Sequence, residues 1–238
     1  MTKLAERIAR LRDRIEDACE RAGRSPAEVE LLPVSKRQPI ERIREALALG
    51  FSRFGENYVQ EGMAKAAAVP DARFLLIGPL QRNKAKVALQ HFNEILTLDR
   101  PDLVLRLRRI AEEESLTRPV WIQVELWDEA SKQGGCSGKD LPEVLEALQA
   151  DARLPLQGFM AIPPPGLDSA FGEMAALRRL WQERLGKKLR LSMGMSGDLE
   201  PAILAGSDQV RIGTDFFGER AAKDPAVPEL NPERGSGR

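Results

Sequence analysis

Eight short apolar segments recur along the chain at fairly even spacing, at residues 29–35, 51–54, 74–77, 94–98, 119–125, 155–161, 189–192 and 208–212. Helical patterns fill the gaps, among them Ile40, Ile43 and Leu47, then Leu103, Leu107 and Ile110, then Leu141, Val144, Leu145 and Leu148, then Phe171, Met174, Leu177, Leu180 and Trp181. Apolar strands separated by helices specify a parallel sheet covered on its outer side. Eight of them match the strand number and chain length of a closed (β/α)8 barrel of the TIM type. Leu4, Ile8, Leu11, Ile15 and Ala18 mark one face of an additional amino-terminal helix over residues 3–22, which Gly23 ends. An open doubly wound sheet is the competing architecture, but no Gly-x-Gly-x-x-Gly follows the first strand. We therefore expect one α/β barrel domain over residues 1–220. Residues 221–238, rich in proline and glycine and without periodicity, read as a flexible carboxy-terminal tail.

Composition removes several function classes. Thirty-six basic residues balance thirty-six acidic ones, so no net field draws the chain to nucleic acid or to an acidic membrane face. No run of about eighteen apolar residues occurs and the amino-terminal stretch is charged, so a cytoplasmic location is expected. Cys19 and Cys136 lie far apart without a partner motif, and His91 is the single histidine. Neither a zinc site, a disulfide framework nor a histidine-dependent triad is indicated.

In a closed barrel the carboxyl ends of the strands converge on one face, which is where chemistry is sought. Lys36 follows the first strand. A lysine there is more often solvated, but an amine beside an apolar strand loses its proton more easily, and only the neutral amine attacks a carbonyl. The seventh strand leads into Ser192-Met193-Gly194-Met195-Ser196-Gly197-Asp198 and the eighth into Arg211-Ile212-Gly213-Thr214. Ser196-Gly197 and Gly213-Thr214 offer hydroxyls and backbone N–H groups where helices begin, a surface suited to phosphate, although Ser196 as a mere cap and Gly213 as a mere turn are the plainer readings. An amine at one strand mouth and an anion cradle late in the barrel are what an aldehyde-phosphate cofactor such as pyridoxal 5'-phosphate needs. Arg211 would reach the mouth to meet either a pyridine nitrogen or a carboxylate. Asn57 and Tyr58, after Phe51–Phe54, stand at a helix start. Arg53, Arg82 and Lys84 are read as a basic rim, and Trp121 as packing.

The segments Pro33-Val34-Ser35-Lys36, Phe54-Gly55-Glu56-Asn57-Tyr58-Val59-Gln60-Glu61, Ile77-Gly78-Pro79-Leu80-Gln81-Arg82-Asn83-Lys84, Leu191 to Asp198 and Arg211-Ile212-Gly213-Thr214 resemble those of the pyridoxal-phosphate homeostasis protein family. The resemblance runs from about residue 4 to residue 220. It implies a single barrel like the amino-terminal domain of alanine racemase, with Lys36 forming the internal aldimine. It further implies that Ser196, Gly197, Gly213 and Thr214 hold the phosphate, that Arg211 faces the pyridine nitrogen, that Asn57 lines the pocket, and that Ser192 and Met193 sit near the ring. Two positions depart from the family pattern: Phe74-Leu75 replaces a tryptophan-histidine pair, and Glu125 stands where asparagine is common, while Lys132 and Gly134 keep the usual spacing.

A guanidinium at the ring nitrogen offers only donors and cannot keep that nitrogen protonated, so the ring is a weak electron sink. The expected function is cofactor homeostasis: holding pyridoxal phosphate, then delivering or buffering it without strong catalysis. Transient contact with apo-enzymes that use pyridoxal phosphate and a monomeric state go with that reading. The alternative is an amino-acid racemase using Lys36 as base, with Tyr58 or a neighbouring subunit supplying the second group.

Overall fold

The computed structural model describes residues 2–127, 134–148 and 152–219; the expected tail and Lys132 lie outside them. The first helix, α1 (Lys3–Ala22), is capped by the Thr2 hydroxyl, which accepts from Ala5 N, and stops at left-handed Gly23, whose N–H reaches back to Cys19 and Glu20 carbonyls. Its apolar stripe is buried as the spacing predicts. The strands are β1 (Glu30–Pro33), β2 (Arg53–Glu56), β3 (Arg73–Leu76), β4 (Glu94–Leu98), β5 (Val120–Glu125), β6 (Cys136–Ser137), β7 (Leu156–Met160), β8 (Arg190–Ser192) and β9 (Gln209–Ile212). The remaining α-helices are α2 (Ile40–Ala48), α3 (Val59–Ala68), α4 (Ala85–His91), α5 (Pro101–Glu113), α6 (Leu141–Leu148), α7 (Ser169–Leu185), α8 (Leu199–Leu204) and α9 (Thr214–Phe217).

All the ladders are parallel, in the order β1-β9-β8-β7-β5-β4-β3-β2. The ring is completed between β1 and β2 by a bridge between Val34 and Gly55 and by Ser35 N donating to Gly55 O at 2.9 Å. The eight main strands form the nearly closed barrel that the sequence spacing predicts. The two-residue β6 is an addition that pairs outside the ring with the end of β5. Among the described residues, no helix is long and apolar enough to cross a membrane.

Period-two alternation divides the strands between two cores. Phe54, Phe74, Ile95, Ile122, Phe159, Leu191 and Val210 face the helices. Leu32, Val34, Leu75, Ile77, Leu96, Trp121 and Met160 fill the barrel interior. Below that apolar layer lies a charged floor. Glu30 pairs with Arg53 at 2.7 Å and Arg190 at 3.2 Å, and Arg53 also pairs with Glu94 at 2.8 Å. Trp121 is packing, as expected, and its Nε1 donates to Glu94 at 3.0 Å. Arg53 departs from the basic rim read from the sequence. It opens β2, so its side chain enters the opposite end of the barrel from Arg82 and Lys84, where two carboxylates neutralise it.

Candidate functional site

Lys36 is half-buried in a tight turn directly after β1. Val34, two residues before it, donates through its N–H to Ile212 O at 2.8 Å. A side-chain carbon at Gly213 would come to 3.7 Å from Val34, so the loop after β9 lies against the chain leading to Lys36. The early lysine and the late glycine-threonine segment therefore leave neighbouring strands at the same barrel mouth. The second strand occupies 53–56 rather than 51–54, because Phe51 instead packs edge-on to Phe216 in the preceding loop, centroids 4.8 Å apart. Gly55 and Glu56 thus belong to the strand. Asn57 follows it half-buried, and its backbone is pressed against Gly78, where a side-chain carbon would come to 2.2 Å from Asn57 O.

Arg211 points into the barrel and is almost wholly buried. Its Nη1 donates to Ser192 Oγ and its Nη2 to Ala161 O, both at 2.9 Å. Burial lowers its pKa to about 10, with the Asp198 carboxylate pulling the other way. The bond directions then run on through the interior. Ser192 Oγ donates to Gln209 Oε1 at 2.7 Å, and Gln209 Nε2 donates to Glu30 at 3.0 Å. A relay of neutral groups thus orients the guanidinium from beneath and connects it to the charged floor.

Met193 separates from Ser192. Alternation turns its side chain outward into the core between sheet and helices, so of this pair only Ser192 reaches the interior. Ser196 and exposed Gly197 occupy the turn before α8; a carbon added at Gly197 would meet nothing within 4 Å. The plainer cap reading of Ser196 does not hold: Asp198 occupies the N-cap position of α8, and its Oδ1 accepts from Met195 N. Gly213 stands at the N-cap position of α9, with exposed Thr214 as its first residue.

One residue that the sequence reading passed over joins these two loops. Arg14 of α1 donates through Nη2 to Ser196 O at 2.9 Å and through Nε to Glu200 at 2.7 Å, and through Nη1 it reaches Asp215 at 3.1 Å. The hydrogen bond with Glu200 is the largest influence raising the Arg14 pKa and lowering that of Glu200. The Arg14 side chain is one-third exposed, so solvent screening limits its worth to about 1 kcal/mol. Arg14→Met is accordingly expected to lower stability by about that amount while speeding amide exchange in both loops, at residues 195–200 and 213–217. Hydrogen-exchange mass spectrometry would detect it; acceleration of one loop without the other would show that Arg14 does not tie them.

Tyr58 is exposed at the rim beneath the Arg37 guanidinium, 6.0 Å from its ring centre. Glu125 accepts from Trp127 N at 3.0 Å. Gln123 donates to Gly134 O at 3.0 Å, two residues before β6. Among the described residues no group of His, Cys, Asp and Glu side chains is placed to hold a metal ion. The Lys36 turn, the buried Arg211 guanidinium and the loops at residues 195–198 and 213–214 thus share one end of the barrel.

Comparison with known proteins gives a consistent result. A family described as "Alanine racemase, N-terminal domain" matches residues 7–221. The pyridoxal phosphate homeostasis protein of Pseudomonas aeruginosa is 42% identical over 234 residues, covering 95% of this chain and all of that one. The protein of the same name from Escherichia coli K12 is 40% identical over 231 residues, covering 92% and 98%. Among solved structures, PipY of Synechococcus elongatus with PLP bound superposes with a TM-score of 0.80 at 36% identity, covering 91% of this chain and 100% of PipY. Alanine racemase of Clostridium difficile superposes at 0.72 with 12% identity over 58% of its own length, a likeness of fold alone.

Proposed function

Because the chain belongs to the pyridoxal phosphate homeostasis protein family, we propose that it holds pyridoxal 5'-phosphate as an aldimine of Lys36 and delivers or buffers it, without strong catalysis of its own. The observation that carries this reading is the juxtaposition of the Lys36 turn with the Arg211-Ile212-Gly213-Thr214 segment across β1 and β9. The cofactor's features find chemical counterparts there: an amine for the aldehyde, a guanidinium for the pyridine nitrogen, and backbone N–H groups with hydroxyls for the phosphate. PipY, solved with PLP bound, shares the fold over nearly the whole chain.

The cofactor would supply an electrophilic carbon and a conjugated ring; the chain supplies binding and orientation. The Lys36 amine would supply the nitrogen for the aldehyde carbon, with the carbonyl oxygen leaving as water. An incoming small amine or the lysine of a recipient enzyme would take over the carbon–nitrogen double bond and free the Lys36 amine, whereas water would return the aldehyde. Ser196, Gly197, Gly213 and Thr214 hold the phosphate, Asn57 lines the pocket, and Ser192 acts by setting the Arg211 guanidinium. Arg211 carries only donors, so carbanion chemistry at the ring is poorly supported and the racemase reading is not favoured. Residues 1–220 serve as one cofactor-binding domain, working in the cytoplasm as a monomer with brief contacts to apo-enzymes.

Adding pyridoxal phosphate to the purified protein is expected to give a visible absorption band and a borohydride-reducible adduct that peptide mapping locates at Lys36. Lys36→Ala should weaken cofactor retention at least tenfold. A wild-type protein that shows neither band nor adduct would end the carrier reading.

A further inference from the structure

We infer that Lys65, with Glu56 and Glu61, forms a buried clamp whose task is to position Lys36. The peptide groups on both sides of Lys36 are gripped by this one cluster. Lys65 Nζ donates to Ser35 O, the carbonyl of the bond that joins Ser35 to Lys36. Arg37 N, the next amide after Lys36, donates to Glu61 Oε1. The Ser35 hydroxyl donates to Glu56 Oε1 at 2.6 Å. Lys65 Nζ ties the two acids together, at 2.6 Å from Glu56 and 2.7 Å from Glu61.

The elements deliver these groups by their ordinary geometry. Glu56 ends β2 on its outward face, the opposite side from Gly55. Glu61 and Lys65 are four residues apart on α3, hence on one face of the helix. Arg37 is held at φ +58°, a left-handed backbone that is uncommon for an arginine and that the Glu61 bond stabilises. The turn at Lys36 is thereby set by side chains from two other elements.

Stability alone is a weak reason for such a cluster. Glu56 is fully buried with its Oε2 unpartnered, Lys65 is 5% exposed, and a buried ion pair contributes little beyond apolar side chains of the same size. Burial is also the largest influence raising the Glu56 pKa, to about 7, against the pull of Lys65. What the cluster does provide is direction. A lysine on a four-carbon stem sweeps a wide arc, and a reacting amine must arrive in near-attack geometry, so fixing both flanking peptide groups fixes where the stem starts. Lys65, Glu56 and Glu61 are positioning residues.

The inference rests on the carrier reading, and the test separates the two. Removing Lys65 alone would strand a buried carboxylate, so the informative variant is Glu56→Gln with Lys65→Met. It is expected to fold, with a cooperative thermal transition, yet to form the pyridoxal phosphate band at least tenfold more slowly than wild type. Visible circular dichroism per bound cofactor should fall by half or more, because the ring is no longer held in one orientation; a merely structural role would leave that signal unchanged. Should the double variant not fold, Glu61→Ala, which removes the acceptor of Arg37 N at a partly exposed site, is expected to slow the reaction at least threefold with its thermal midpoint little moved. Wild-type rate and dichroism in the folded variant overturn the clamp. Absence of the band in wild type overturns the carrier reading instead.

Discussion

Gly158→Ala is expected to remove about 4 kcal/mol of stability, roughly a 10 °C fall in thermal midpoint for a chain of this size. Gly158 in β7 pairs with Arg190 in β8. A side-chain carbon there would come to 2.0 Å from Arg190 O and 2.6 Å from Arg190 N. Those are backbone atoms of a neighbouring barrel strand, so relief requires the strands to part rather than a side chain to rotate. Parting β7 from β8 also disturbs the layer above and below, because Arg190 belongs to the charged floor and stacks 5.4 Å from the centre of the Trp121 ring. Overpacking in a close-packed core typically costs about 1–3 kcal/mol, and collision with backbone belongs beyond the upper end of that range. Chemical denaturation followed by near-ultraviolet circular dichroism would measure the loss. Gly197→Ala is the control, since its added carbon meets nothing within 4 Å. If both variants were equally stable, the strands at Gly158 would have to be more compliant than their hydrogen-bonded pairing implies.

The barrel was legible because its signal is spread over the whole chain. Short apolar strands every 19 to 36 residues leave few topologies, and local errors do not accumulate. The β2 boundary misled because Phe51 has the aromatic character of a strand residue but serves a loop contact with Phe216. Arg53 misled for the same reason: two residues of slippage reverse which end of the barrel a side chain enters. The family resemblance placed Met193 beside Ser192 near the ring, whereas alternation sends the two side chains to opposite faces. The clamp and the Arg14 tie were illegible for a different reason. Arg14 sits in a charged helix where such residues are normally solvated, and the i,i+4 spacing of Glu61 and Lys65 announces only an ordinary helix-surface pair. The distant partners of Lys65 and Arg14 lie 30 residues away at Ser35 and 182 residues away at Ser196, so their roles exist only once the barrel has closed.

Arg211→Met is expected to weaken cofactor retention by about 10- to 100-fold, the loss of one charge-assisted hydrogen bond, while changing the stability of the cofactor-free protein by less than about 2 kcal/mol. The two effects divide because the guanidinium is held at a disadvantage. Its pKa in the folded chain, about 10, lies below the ordinary arginine value of 12.5. A base depressed in this way destabilises the folded state at every pH below the folded pKa, and the cost fades only as pH rises from about 10 towards the unfolded value. At neutral pH that cost is about 3 kcal/mol. Methionine of similar length removes it but leaves Ser192 Oγ and Ala161 O without their donor, at about 1–3 kcal/mol each, so the opposing changes nearly cancel. A ligand acceptor at the guanidinium would recover part of what burial forfeits, which is why the arginine is worth more to the loaded protein than to the empty one. Thermal denaturation without cofactor, set beside absorbance titration with pyridoxal phosphate, would measure both sides. Arg211→Met that lost several kcal/mol of apo-stability yet retained cofactor like wild type would make Arg211 a structural residue.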